Sequence, residues 1–518
     1  MRHMGKLALA SLLAGGLAWG GAEAQKPPPA GSPAPPSSKP APAPPPAQGP
    51  AVPGKPPAGG APPTTPQTPG SPPSQSPGGQ PPQSPGGQPP RAQAPNATPP
   101  IDEPTAVGRL RSLLGTDATL AYTGAEVTDP ARGTVRLSGV TITPRGDQPI
   151  RIETLALDDL RDDGLGEADA RKVTVRDGNT NVVLERVQLA GLNVRNPAAG
   201  QPRTPDLVAL DSLRVEGFVL GNTDGSGLRV DQATLEDYGP GRQTRLALGG
   251  MTLQIQPNQP VQRVTLRRAV VRGLDIATVA TAASRNQPPP TAGRIALEVE
   301  EAAAIGPGGR SLGGLGSFRV TSDQPENGVG IGSIALRAFR LEPVPGTDVW
   351  MQRLGYTSLL FDLTADSRYD PAGGRIDLTS MSLVGRDMGT LSLAFSGDGA
   401  STAAMQRGDF AGLRLISAGL RYIDQGLVGR LIGQQARSSN TPEPQLREQY
   451  ANMAGGALAQ PALTPVREAL QRFIRGQARE VEVTLHPAQP VAIMELQQRP
   501  PANPADAAAR LGLGAVAR

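Results

Sequence analysis

The sequence predicts a mainly β protein: an elongated curved sheet, groove-like (a taco) or solenoid-like, made of serial repeats and followed by a C-terminal α-helical segment. Three observations carry this. In Val182 to Val194, VVLERVQLAGLNV, the apolar residues Val182, Leu184, Val187, Leu189, Leu192 and Val194 are separated by steps of 2, 3, 2, 3 and 2. Such steps scatter around a helix and alternate faces along a flat strand, but an extended chain with a bend or bulge after each short stretch keeps them on one side. The pattern then recurs, with copies starting at Val208, Leu228 and Val264 and earlier ones at Val135 and Ile150. A repeat of this period is expected of supersecondary units that bury a core only by adding to one another. Finally, near Ser417 the pattern gives way to helical spacing.

Taken in order, the chain is expected to open with an export signal, the alternative being an uncleaved N-terminal anchor. Arg2 and Lys6 precede an apolar run, and Ala22-Glu23-Ala24 forms a small-residue cleavage site before Gln25. From Lys26 to about Pro104 the sequence is rich in proline and glycine, with QSPGGQPP repeated in tandem at Gln75 and Gln83. This stretch lacks the apolar side chains that offset ordering entropy, so it reads as a spacer; fully extended polyproline would reach roughly 240 Å. AVGRLRSLLG then predicts a short helix over Ala106–Leu114, stopped at Gly115. The β blocks follow, separated by polar segments such as Gly306 to Gly316, which read as turns. Two architectures fit these blocks, a β-solenoid and a curved sheet. Large residues at both inward positions, as in Phe218 with Leu220, favour the sheet, because a narrow pentapeptide-type coil has room for a small residue at one of them. An aromatic content of 3% is low for the girdles of an outer-membrane barrel.

Beyond Ser417, amphipathic helices are expected. Asp424 to Arg437 carries Leu427, Leu431 and Ile432 on one face, Thr441-Pro442 and Thr464-Pro465 resemble helix starts, and Leu470, Phe473 and Ile474 are placed to cap the end of the sheet. A strand is expected over Glu480–Leu485. The expected organisation is an export signal (1–24), a disordered proline-rich spacer (25–104), a repetitive β domain (105–416), a helical cap with a terminal strand (417–498) and a flexible tail (499–518).

The search for chemistry returns little. There is no cysteine, which removes disulfides, thiolate catalysis and a cysteine-linked lipid anchor. Once the signal is removed the remaining histidine is His486, and no GxSxG elbow accompanies it. The acidic run Asp158, Asp159, Asp162, Asp163, Glu167 and Asp169 offers oxygen ligands for Ca²⁺, but its spacing departs from an EF-hand loop and Arg161 lies within it, so a solvated turn is the expectation. A net charge of +4, with no dense basic run beside aromatics, gives no footprint for nucleic acid. Accordingly no catalytic, cofactor-binding or metal-ligating residue is assigned, and a non-enzymatic protein is expected.

The opening LAYTGAEV followed by GTVRLSGVTI, the serial VxLxxVxLxGLxV blocks and the helical segment ending in a strand resemble the AsmA-like and YdgA-like envelope proteins of Gram-negative bacteria, over roughly Thr105 to Leu496. The resemblance implies a periplasmic or envelope location and a hydrophobic β groove, in a group associated with lipid movement or envelope integrity. The partner it implies is phospholipid or a membrane surface. The cleavable signal and the spacer depart from relatives that keep a membrane anchor. The competing expectation is a structural or adhesive surface protein whose apolar positions form a closed core.

Overall fold

A strand that must place apolar residues at steps of 2 and 3 on one face has to break its alternation, and the computed structural model shows how this chain does so. It describes residues 103–518 apart from 116–117, 196–203, 286, 288–292, 327, 407–408, 410 and 499–500. The export signal and nearly all of the spacer lie outside the described residues.

A helix, α1 (Glu103–Leu114), ends at Gly115 as its sequence indicates, although Pro104 sits in its first turn and not in the spacer. The strands that follow are β1 (Ala118–Ala121), β2 (Gly124–Asp129), β3 (Thr134–Pro144), β4 (Ile150–Asp158), β5 (Gly164–Asp177), β6 (Thr180–Val194) and β7 (Val208–Asn222). Next come β8 (Gly227–Tyr238), β9 (Thr244–Gln254), β10 (Arg263–Leu274), helix α2 (Ile276–Ser284), β11 (Gly293–Ile305), β12 (Ser311–Gln324) and β13 (Gly330–Leu341). After helix α3 (Asp348–Arg353) the sheet resumes with β14 (Leu359–Asp370), β15 (Arg375–Gly385), β16 (Gly389–Asp398), helix α4 (Thr402–Gln406) and β17 (Arg414–Asp424). Helices α5 (Leu427–Ser439), α6 (Glu443–Ala457) and α7 (Thr464–Ile474) lead to β18 (Glu480–Leu485), β19 (Val491–Ala492), helix α8 (Ile493–Gln498), helix α9 (Pro504–Leu511) and β20 (Leu513–Ala517).

These 20 strands form one open antiparallel sheet. From β3 to β17 each strand is hydrogen-bonded to the next in sequence. At one margin β1 and β2 share the free edge of β3, and at the other β18 and β19 share that of β17, with β20 on β18. The repeat unit is therefore one long strand, not a pair of short strands around a corner: Val182 to Val194 lies within β6. Where several strands take a three-residue step, the backbone turns left-handed inside the strand. Gly217 (φ 63°) stands between Val215 and Phe218, Gly250 (φ 63°) between Leu248 and Met251, and Lys172 (φ 52°) and Ala338 (φ 51°) take the same place in β5 and β13. Such a residue kinks the strand and resets the alternation so that both halves face the same core; the register runs on unchanged through Lys172, Gly217 and Gly250, and shifts as a bulge only at Ala338, between Leu336 and Phe339. At Ala338 the displaced N–H is donated to Asp362 Oδ1 of β14 at 2.7 Å.

Several expectations are corrected. Ser417 lies inside β17, so the helical segment begins at Leu427, after a strand that the composition change alone does not reveal. Residues 501–518 are not a flexible tail; α9 is capped by Asn503, whose side chain accepts the Asp506 N–H, and β20 pairs with β18 from Leu485↔Leu513 to Val481↔Ala517. A five-residue strand has too little pattern to stand out beside a proline-punctuated segment, and its partner supplies the order. The repeat that starts at Val264 ends before Ile276, which is the first residue of α2 because Asp275 caps the helix by accepting the Thr278 N–H at 2.8 Å. The turn expected over Gly306 to Gly316 closes by Arg310, and Gly313 and Gly314 already pair with β11. Helix α6 starts one residue later than Thr441-Pro442 suggests, with Pro442 as its cap residue.

The left-handed positions make a direct prediction. A Cβ at Gly217 would stand 2.5 Å from the Glu185 side chain, whereas one at Gly221 of the same strand meets nothing within 4 Å. Gly217→Val is expected to cost about 1–3 kcal/mol in chemical denaturation, and Gly221→Val about 0.5 kcal/mol or less; equal costs would show that the left-handed position imposes no conformational demand.

Candidate functional site

Directly paired residues of an antiparallel ladder share a face, so the register traces a row across the whole sheet. From β2 onward the row reads Ala125, Leu137, Leu155, Ala170, Val187, Val215, Ala233, Leu248 and Ala269. It continues as Val299, Phe318, Leu336, Leu363, Leu383, Leu391, Tyr422, Val481 and Ala517. No member is charged. One residue away, the row on the other face includes Arg136, Asp169, Gln188, Arg214, Glu298, Arg319, Ser382, Arg421 and Glu482. The sheet thus has one apolar and one largely polar face.

Burial along the apolar row is uneven. Leu137 is 1% exposed and Leu155, Ala170, Val215, Ala233 and Leu248 are buried, with Ala125 and Val187 half-buried beside them, in a core that α1 joins through Ala106 and Leu110 and α2 through Ala277. From β10 the row is only half-buried: Ala269, Val299, Phe318, Leu336, Leu363 and Leu383 all keep solvent access, and Leu391 is 38% exposed. On the same face Ile334, paired with Val320 and Ala365, is 40% exposed and Leu420, paired with Leu393 and Val483, is 46% exposed. Four of the seven phenylalanines, Phe318, Phe339, Phe361 and Phe395, belong to this partly open stretch. At the last strands α7 covers the face again: Phe473 meets Tyr422 edge-on with ring centroids 5.9 Å apart, and Ala469 packs with Ala478, Ala517, Val481 and Ala515. Phe473 carries this cap as its sequence position indicates, while Leu470 and Ile474 are only half-buried. The result is a strip of apolar side chains over β11–β17, bounded by a sealed core on one side and α7 on the other.

One end of the strip is closed by polar ties around an apolar plug. Met351, Leu354, Tyr356, Leu359 and Met388 are buried together, with Phe361 of the strip and Leu427 of α5 packed on them. The Tyr422 hydroxyl lies 2.9 Å from Met388 O and 3.0 Å from Asp424 Oδ1, and the same carboxylate oxygen accepts the Val428 N–H at the start of α5. Burial, reinforced by Asp424, pushes the Tyr422 phenol well above its ordinary pKa, so it stays protonated and can donate. Tyr356 donates to Asp387 O at 3.1 Å; its pKa is likewise raised, chiefly by burial.

The acidic run Asp158 to Asp169 is divided among cations. Asp159 and Asp163 face Arg161, Asp162 faces Arg109, and Asp158 takes Thr134 and Arg132. Among the described residues no group of three or more potential ligands converges on a metal position. His486 is exposed, and its backbone N–H is donated to Gly512 O beside β18. Among the described residues no helix is long and apolar enough to cross a membrane. The sequence names no lining residue for a groove: its looser repeats, around Leu246 to Ile255, Ile334 to Leu341 and Ile376 to Leu383, fall on a sealed strand as well as on uncovered ones, so looseness of spacing does not mark the open stretch.

Two measurements follow. Leu137→Ala is expected to lower stability by about 3 kcal/mol or more, because it leaves a cavity, and Leu336→Ala by about 1 kcal/mol, because its site is already partly wet; denaturation curves that reverse this order would contradict the burial contrast. Asp169 accepts from Arg186 Nε and Nη2 at 3.0 and 2.9 Å, which holds its carboxyl below the ordinary aspartate pKa. Its contribution is present above the unfolded value and is lost as pH falls through the depressed folded value. Asp169→Asn is therefore expected to be less stable than the parent at neutral pH, with the gap closing on acidification.

Among known proteins, a family model described only as an uncharacterized protein matches residues 382–518, from within β15 to the last strand. No curated relative matches the chain.

Proposed function

We propose that this is a non-enzymatic protein of the cell envelope, exported to the periplasm, whose half-covered apolar strip over β11–β17 forms a groove that binds or conveys lipid acyl chains and so supports envelope integrity. The observation that carries the reading is the change in burial along one uninterrupted apolar row. A closed structural core would bury Leu336, Leu363 and Leu383 as fully as Leu137 and Leu155, and it does not. Apolar surface facing water costs about 25 cal/mol per Å², so an acyl chain laid along the strip gains by covering it. The phenylalanines there supply broad surfaces without polar groups that would need partners. The polar opposite face, with pairs such as Arg186–Asp169 and Arg421–Glu480, keeps the other side of the same sheet hydrated.

Native mass spectrometry with lipid extraction, on protein expressed with export, tests this directly. Phospholipid close to one or more per chain is expected; a lipid-free mass would leave the structural or adhesive surface protein as the account. A paired variant sharpens the test. Ile334→Asp with Leu391→Asp places two charges on positions already 40% and 38% exposed. It is expected to change the melting temperature little, by about 1 kcal/mol of stability or less, and to reduce co-purifying lipid severalfold.

A further inference from the structure

Behind the plug that closes the strip lies a second, polar feature. A cleft of about 610 Å³ runs along the seam between the C-terminal end of α3 and the length of α5. Three guanidinium groups line it, Arg353, Arg430 and Arg437, with a single carboxylate, Glu443. Glu443 is already engaged, because Arg447 Nε and Nη2 donate to its Oε1 at 3.1 and 2.9 Å. Arg430 is held in place: Nη1 donates to the carbonyls of Leu354 and Gly355 at 3.1 and 3.3 Å, and its guanidinium carbon lies 4.6 Å from the Tyr356 ring centre. Its Nε and Nη2 have no protein acceptor among the described residues. Arg353 and Arg437 are exposed and have no acidic partner among the described residues. The face of α5 towards the cleft carries Gly429 and Gly433, and a Cβ at Gly429 would meet nothing within 4 Å. Here an open cleft of ligand size, one immobilised arginine with donors to spare, two uncommitted arginines and a floor without side chains coincide.

We propose that this cleft binds a phosphate-bearing group. A planar guanidinium fork fits phosphate oxygens, and charge-assisted bonds to it are about twice as strong as neutral ones. Leu354 belongs at once to the cleft wall and to the apolar plug on which Phe361 packs. A phospholipid headgroup at this end of the strip is therefore the source favoured if the apolar-strip reading holds, and only that choice of source rests on it. A free phosphate or phosphate ester presents the same oxygens.

The test uses the full chain and three probes: inorganic phosphate, short-chain phosphatidic acid and phosphatidylcholine below their micellar concentrations, and the uncharged apolar dye N-phenyl-1-naphthylamine. Two variants accompany it, Arg353→Ala with Arg437→Ala, which removes charge, and Gly429→Leu, which fills the floor while replacing a glycine within a helix. By calorimetry the parent is expected to bind phosphatidic acid about tenfold more tightly than phosphatidylcholine, and both variants to lose about tenfold of that affinity. Dye binding should not change. Phosphatidic acid binding much tighter than inorganic phosphate supports a headgroup in the cleft; equal affinities, both lost in the variants, support the cleft with a free phosphate ester as its ligand. Phosphate and phosphatidic acid binding that is undetectable in the parent, or unchanged in folded variants, overturns the proposal. If phosphate binds through the arginines but the dye does not bind, the cleft stands and the apolar-strip reading falls.

Discussion

Cross-strand register is the constraint on which this structure depends. Because ladder partners share a face, a slip of one residue between any two strands would turn the apolar row of every later strand to the other side. The chain holds register by pairing every strand from β3 to β17 with its sequence neighbour, through turns and short connections for most pairs and through the helical connections of α2, α3 and α4 before β11, β14 and β17. The left-handed residues at Lys172, Gly217, Gly250 and Ala338 absorb the odd steps of the pattern inside the strands. Without Gly217 the 15-residue strand β7 would turn part of its valines and leucines to the opposite face.

A single face carried across so many strands has to be covered, and the chain covers it unequally. The early strands are sealed with α1 and α2, the last ones by α7, and the strands between keep their leucines and phenylalanines partly wet. The helices are thus the elements that decide where the apolar surface stays open. Their own anchoring is polar. Tyr422, Asp424, Tyr356 and Arg430 join β17, α5 and the loop after α3 through hydroxyl, carboxylate and guanidinium contacts. Such groups fix direction better than apolar packing alone, because an unmade bond at a half-buried site is costly.

The opposite face shows how the sheet avoids becoming sticky on both sides. Arginine and acid pairs lie across neighbouring strands, including Arg245 with Glu236, Arg319 with Glu298 and Arg421 with Glu480. Individually such exposed pairs contribute little to stability. Collectively they keep that face hydrated, and the sheet margins are protected by short strands, β1 and β2 at one and β20 at the other.

What the sequence by itself determined is the β class, the stepped apolar pattern, the first helix and its stop at Gly115, the strand Glu480–Leu485 and the capping position of Phe473. All of these are local: they depend on side-chain periodicity, a left-handed glycine or a β-rich run, each readable within a dozen residues. The sequence also determined which side of each strand is apolar. It did not determine which of those sides stay open, because Leu137 and Leu336 have the same identity and the same neighbours in pattern, and differ only in what lies across from them. The order of residues 501–518 was likewise settled by the tertiary structure, since β20 exists as a partner of β18. So was the meeting of Arg353, Arg430 and Arg437, from segments some 75 residues apart. Burial and convergence are properties of the assembled sheet, and the pairing that assembles it acts between residues that the linear pattern never places together.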